Sequence, residues 1–172
     1  AAGEAFDKVA RAAGLPMPGG PALSKLADRG NPDKVHMPIL RVGELDFSFS
    51  GIKTHGARLL EEGNAAQDVA AGFQRSVVET LVDRLRRGAR KSGIRTIGLG
   101  GGVAANRALR AAAAQMAKRE DLELIVPPFE YCTDNAAMIG CLGQFMLDGG
   151  LRSTLDADAR SVAEVGEISF EV

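Results

Sequence analysis

Tryptophan is absent from the 172 residues, and tyrosine occurs once. Aromatic platforms on which single-stranded bases stack are therefore not expected of this chain. Two cysteines, Cys132 and Cys141, are too few for a disulfide scaffold. They lie nine residues apart in one helical region, so their side chains do not readily meet. Both read as free thiols of a reducing cytoplasm. No signal peptide is visible, and no apolar run is long enough to span a bilayer, so no membrane role is expected. Neither sign of charge dominates. Lysine and arginine number 21, aspartate and glutamate 22, and the net charge is −1. No global field draws nucleic acid toward such a surface.

Hydrophobic content of 45% with 25% charge is ordinary for a globular domain, and the length suits one domain or one lobe of something larger. The informative feature is a glycine run at a strand-to-helix junction. Ile94-Arg-Thr-Ile97 is short, apolar and β-branched. Val103 to Arg119 is rich in Ala, Leu, Arg and Lys, and reads as a helix. Between them, Gly98-Leu-Gly-Gly-Gly102 lets backbone N–H groups approach a ligand with no Cβ in the way. The layout repeats. Leu122 to Val126 reads as a strand, Pro127-Pro128 ends it, and Thr133-Asp134-Asn135 opens a helix to about Leu147. In open α/β sheets, helix N-termini of this kind converge on a site, and a nucleotide is the natural occupant.

The rest of the chain is mostly helical. Ala1 to Ala13 is amphipathic from the start, with Phe6, Val9, Ala10 and Ala13 on one face. A chain that starts inside a helix reads as a fragment whose N-terminal portion is missing. Gly14 to Gly20 is a loop, and Pro21 suits the first turn of a helix ending near Gly30. Val35 to Val42 reads as a strand interrupted by Pro38, and Phe47-Ser-Phe-Ser50 as a half-buried strand. Gly51 starts a helix to about Glu62. A long helix follows from Asn64, with core positions Val69, Phe73, Val77, Leu81 and Leu85. The expected organisation is a helical or irregular insertion over 1–64, a βα core over 65–150 and a tail over 151–172, with Ile168 to Val172 a candidate closing strand.

Several residues have bland readings on the sequence alone. Arg84, Arg86, Arg87, Arg90, Lys91 and Arg95 read as a solvated helix end rather than a phosphate patch. Thr133 or Asp134 would cap a helix. Asn106 would be a solvated helix residue, Asp7 a solvated charge, Gly20 a turn former and His55 an ordinary surface histidine. Cys132 has no histidine placed to activate it, which leaves cysteine-protease chemistry without a base.

Five ordered motifs change the balance. Ala1-Ala-Gly-Glu-Ala-Phe-Asp-Lys8, Pro18-Gly-Gly-Pro21, Phe47-Ser-Phe-Ser-Gly-Ile-Lys53, Gly100-Gly-Gly-Val-Ala-Ala-Asn-Arg107 and Cys132-Thr-Asp-Asn-Ala-Ala-Met138 stand in this order. Together, over residues 1 to about 150, they resemble the TsaD family of tRNA adenosine threonylcarbamoyltransferases, long labelled glycoproteases or O-sialoglycoprotein endopeptidases. The resemblance implies an α/β lobe of the ASKHA fold of actin, Hsp70 and sugar kinases, carrying a helical insertion and lacking its N-terminal lobe. It implies transfer of a threonylcarbamoyl group from threonylcarbamoyl-adenylate to N6 of the adenosine beside the anticodon of tRNA. TsaB and TsaE are the implied partners, alongside the adenylate-forming TsaC. It also implies one divalent metal ion, iron or zinc, held by a His-x-x-x-His pair and by an aspartate that matches Asp134. Asp7, Gly20, Gly101, Gly102 and Asn106 match ligand-binding positions. The chain departs from the pattern in its histidines: His36 and His55 are nineteen apart and form no such pair. An inactive fragment is therefore expected. The alternatives are another ASKHA enzyme, such as a carbamoyltransferase or sugar kinase, and a stand-alone nucleotide-binding or interaction lobe.

Overall fold

The computed structural model describes residues 1–39 and 42–152, in two units: Ala1–Cys132, and a segment from Thr133 onward. The first unit begins with helices α1 (Ala2–Ala12), α2 (Gly19–Ala27), α3 (Ser50–Glu61) and α4 (Ala66–Ser92). Strand β1 (Thr96–Gly98), a 3-10 turn at Gly102–Ala105, helix α5 (Arg107–Glu120), strand β2 (Glu123–Ile125) and a second 3-10 turn at Phe129–Tyr131 follow.

α4 forms because apolar residues recur every fourth position along it. Val69, Phe73 and Val77 are fully buried, and Leu81 and Leu85 half-buried. Gly93 closes it in the left-handed region, at φ +66°, where glycine has no steric penalty. α1 turns Ala5, Phe6, Val9 and Ala10 to the same core. The Phe6 ring meets Phe73 edge to face, 5.1 Å between centroids. Such a pair adds about 0.5–1.5 kcal/mol beyond the area it buries. Leu23 of α2 and Ile52 of α3 complete this large cluster.

β1 and β2 pair in parallel, with Thr96 opposite Glu123, Ile97 opposite Leu124 and Gly98 opposite Ile125. α5 makes the crossover, as parallel pairing requires. A small cluster of Ile97, Ala89, Met116 and Ala117 lies beneath the pair. Helices with a small parallel sheet make this an α/β unit.

Two expected strands are absent among the described residues. Val35 and Met37 are buried, yet residues 35–39 pair with no other strand. Pro38 has no N–H to give a ladder, and its carbonyl instead accepts from Ser76 Oγ of α4 at 2.6 Å. Phe47-Ser-Phe-Ser50 is not extended pairing either. Phe47 and Phe49 stack on each other at 6.1 Å, Phe47 stays exposed, and Ser50 already belongs to α3. Within the basic cluster only Arg84 departs from the expected solvated helix end, while Arg90, Lys91 and Arg95 stay exposed. Arg84 is buried, donating from Nη1 to Asp83 and from Nε to the Asp46 carbonyl. Asp83 also takes Arg86 and Arg87, Glu120 takes Arg90, Glu44 takes Lys91, and Asp121 takes Arg95. Partial burial pushes the Asp83 carboxyl up, but its arginine hydrogen bonds outweigh this and hold it below its ordinary value. Each of the six cations has an acid partner, with three of them sharing Asp83.

The second unit contains α6 (Ala136–Asp148). Its cap is Asn135, whose Oδ1 accepts the Met138 N–H at 3.0 Å, rather than Thr133 or Asp134. No residue of α6 is buried, and Met138, Ile139, Leu142 and Phe145 are exposed. Cys132 and Cys141 are both free thiols, the first buried and the second exposed. The candidate strand at 168–172, and the tail from residue 153, lie outside the described residues. No described helix is long and apolar enough to cross a membrane.

Candidate functional site

The strand-to-helix junction after β1 carries three consecutive exposed glycines. β1 ends on Gly98, and Leu99 N–H still donates to the Ile125 carbonyl at 3.0 Å. The chain then leaves the sheet. Gly101 sits at φ +75° and ψ 173°, a conformation close to glycine-only. A Cβ placed at Gly100, Gly101 or Gly102 would meet nothing within 4 Å. At Gly100 and Gly102, therefore, no packing among the described residues explains the missing side chain. Among the described residues the N–H groups of all three have no acceptor, while Ala104 N–H returns to the Gly101 carbonyl at 2.9 Å. The result is an exposed run of glycines whose amides are not taken by another group among the described residues, which suits an anionic or polar ligand.

Asn106 fixes the far end of this loop. It is the N-cap of α5, accepting the Leu109 N–H on Oδ1 at 2.9 Å. Its Nδ2 donates to Ser24 Oγ and to Gln74 Oε1, each at 2.9 Å. The residue is thus no solvated helix position. Both amide protons and one oxygen lone pair are committed, tying α5 to α2 and α4. A ligand at Asn106 has the remaining Oδ1 lone pair to use.

Arg110, one turn further on, holds the other side. Its Nε donates to the Ala104 carbonyl at 2.6 Å, and its Nη2 to the Pro127 carbonyl at 2.7 Å. Nη2 also lies 3.0 Å from Cys132 Sγ, and the guanidinium stacks 4.0 Å over the Phe129 ring.

Asp7 meets Gly19, the chain neighbour of Gly20, at a second junction. Asp7 Oδ1 accepts the Gly19 N–H at 2.9 Å, so the carboxylate caps the start of α2 from α1. A Cβ on Gly19 would lie 2.6 Å from Ala10 Cβ and 2.9 Å from Asp7 Cα. Gly19 is therefore the glycine that lets α1 and α2 touch. Gly20 has nothing within 4 Å of its absent Cβ, which leaves its backbone approachable. A Cβ placed on Gly3 of α1 would lie 3.6 Å from Val103 Cγ2, so α1 abuts the turn that follows the glycine loop. Asp7, Gly20, Gly101, Gly102 and Asn106 accordingly share one unit, whereas Asp134 belongs to the other.

Asp134 is an exposed carboxylate. Among the described residues no three His, Cys, Asp or Glu side chains gather as metal donors. One carboxylate does not make an iron or zinc site, so the residues present do not fit the metal. His55 is engaged on both nitrogens. Nε2 lies 2.8 Å from the His36 carbonyl and must donate, because a carbonyl only accepts. Arg58 only donates, so Nδ1 accepts from its Nη2 at 3.0 Å.

Gly19 and Arg110 are not singled out by sequence reasoning. Gly19 is indistinguishable from Gly20 on paper. Arg110 carries a faint signal: it lies one turn beyond an asparagine at a helix start, where its side chain points back over the preceding turn.

A parallel βαβ unit whose first strand runs through bare glycines into a capped helix defines an α/β protein with a ligand-type loop. The family described as TsaD, tRNA N6-adenosine threonylcarbamoyltransferase, matches residues 1–141, and the chain belongs to that family. A Bacillus subtilis (strain 168) protein named tRNA N6-adenosine threonylcarbamoyltransferase is 43% identical over 174 aligned positions, covering 96% of this chain and 50% of the relative. Relatives of the same name from Sorangium cellulosum (strain So ce56) and Caldicellulosiruptor bescii are 48% and 45% identical. They are covered over 46% and 49% of their length, against 91% and 92% of this chain. The chain spans about half the length of the curated relatives it matches.

Proposed function

We propose that this chain is the substrate-holding part of a tRNA-modifying transferase that moves a threonylcarbamoyl group from threonylcarbamoyl-adenylate to N6 of the adenosine beside the anticodon. The observation that carries the reading is the Gly100–Gly102 run, exposed and needed by no packing among the described residues. In the reaction, the N6 amine forms a bond to the carbamoyl carbon, the bond from that carbon to the phosphate oxygen breaks, and AMP leaves as N6 loses its proton. The mixed anhydride is already activated. What the chain must supply is position and donors for the phosphate or carbonyl oxygens, and fixed amides do this without reorganising.

Gly101 and Gly102 are assigned to the adenylate. Asp7 and Gly20 are assigned to its ribose side, with the Asp7 oxygen not used by Gly19 free to accept a hydroxyl. Asn106 contributes mainly by holding the loop in place. Asp134 is read as one carboxylate ligand of iron or zinc in a longer protein, with the remaining donors supplied from elsewhere, and no step above runs through the metal. The ASKHA architecture, a cytoplasmic location and association with TsaB and TsaE belong to the same reading. So does the inactivity of the 172-residue chain alone.

The test is direct. Amide NMR during titration with AMP is expected to move the resonances of Gly100 to Val103 first. Shifts confined to other regions, or none at millimolar AMP, overturn the assignment of the loop. In parallel, the chain alone, given tRNA and threonylcarbamoyl-adenylate, is expected to yield no modified adenosine by mass spectrometry.

A further inference from the structure

The glycine loop has no side chains of its own with which to hold its shape. Two side chains outside it do so. Asn106 ties its end to the helical half of the unit, and Arg110 is the only described side chain seen to tie the adjoining turn to the segment after β2. We propose that Arg110 is a positioning residue for the adenylate. Its guanidinium would set the loop amides by clamping the 3-10 turn at Ala104 to Pro127, Phe129 and Cys132. This rests on the reading that the loop binds an adenylate.

The geometry is specific to a planar fork. Nε faces Ala104 O while Nη2 faces Pro127 O and Cys132 Sγ, with Phe129 beneath the plane. Carbonyls from two segments are bridged by one rigid group. A lysine ammonium is a point donor and cannot span both while stacking on the ring. Cys132 fits the same picture without acting chemically. Its thiol is 3% exposed and packed under the guanidinium, with the Pro128 carbonyl 3.5 Å from Sγ. Burial of this thiol therefore reports whether the clamp is closed.

The experiment compares the wild-type chain with Arg110→Lys and Arg110→Ala. The first measurement is thiol labelling by a disulfide reagent. In the wild type Cys141 should react at once and Cys132 slowly, because the first is exposed and the second buried. In both variants Cys132 should react at least about tenfold faster, as expected when a local opening becomes easier by that factor. The second measurement is AMP affinity from the shifts of Gly100 to Val103, expected to weaken about tenfold in Arg110→Lys. Amide exchange in α1 and the first half of α4 should be unchanged, which separates a local effect from unfolding. Arg110→Lys keeps the charge and the stem, so it keeps the test meaningful if Arg110→Ala does not fold. An Arg110→Lys chain that binds AMP as tightly as the wild type overturns the positioning role. A wild-type chain whose loop does not respond to AMP overturns the adenylate reading instead, and the two failures are told apart by the wild-type titration.

Discussion

Around Phe73, α1 to α4 close a cluster of 14 buried residues. Around Met116, β1, α5 and the end of α4 close one of four, counted among the described residues. The helical half of the first unit carries its own core, whereas the βα half leans on α4. Its strands are three residues long, and Ile125 at the end of β2 and Ile94 before β1 are more than half exposed. A two-stranded sheet of this size is not stable by itself in water. Yet the open glycine loop sits on this thinly packed half. Its order must then be borrowed, and the structure shows from where: Asn106 reaches to Ser24 and Gln74, and Arg90 on α4 grips Glu120 on α5 through two hydrogen bonds of 2.6 and 2.7 Å.

The largest effect should come from breaking the strong half. Phe73→Ala removes a ring that is fully buried and packed on Phe6. A loss of about 3–5 kcal/mol is expected, a large share of the roughly 5–15 kcal/mol a domain has. Urea unfolding of the variant measures it. A midpoint close to the wild type would mean that the helical half is not the one carrying stability.

Asn106→Ala tests the tie between the halves. It removes a helix cap and strands Ser24 and Gln74 without their donor, so about 2 kcal/mol of stability should go. The loss should show as faster amide exchange in α5 and the glycine loop before α1. A variant as stable as the parent, with weakened AMP binding, would instead make Asn106 a ligand residue first.

The smallest effect is electrostatic. The hydrogen bond from Arg90 holds the Glu120 carboxyl below its ordinary value. A depressed carboxylate adds stability that is fully present above its unfolded pKa, about 4.3, and is lost as pH falls through the lower folded value. Carboxyl NMR of Glu120 should therefore titrate below pH 4.3 and rise toward it in Arg90→Gln. An unchanged midpoint in that variant would remove Arg90 from the ties between the halves. Salt should shrink the difference, because the arginine is exposed.

What the sequence made legible follows from how far each signal reaches. The α4 stripe is a local, repeated pattern, and it holds at Val69, Phe73 and Val77. The glycine junction, both strands of the βα unit and the opening helix were legible for the same reason. Alternation at Phe47 to Ser50 misled because it predicts a pleat only when another strand offers hydrogen bonds; here the two phenylalanines stack on each other. Val35 and Met37 alternate inward like a strand, but the hydroxyl of Ser76, 38 residues away from Pro38, takes the carbonyl. The burial of Arg84 depends on Asp46, also 38 positions off, and a helical charge pattern cannot show that. Asn106 as a cap was within reach, since an asparagine before Arg-Ala-Leu-Arg is a helix-start signature. Its side-chain partners at Ser24 and Gln74 were not.

α4 has 27 residues, which at 1.5 Å per residue makes a rod about 40 Å long. Its first half enters the large cluster at Val69, Phe73 and Val77; its second enters the small one at Val82, Leu85 and Ala89. The consequence is one of alignment. The two clusters share a keel, and to tilt one against the other the chain would have to bend this rod and stretch the bonds of its mid-section. The glycine loop is thereby surveyed from a distant benchmark.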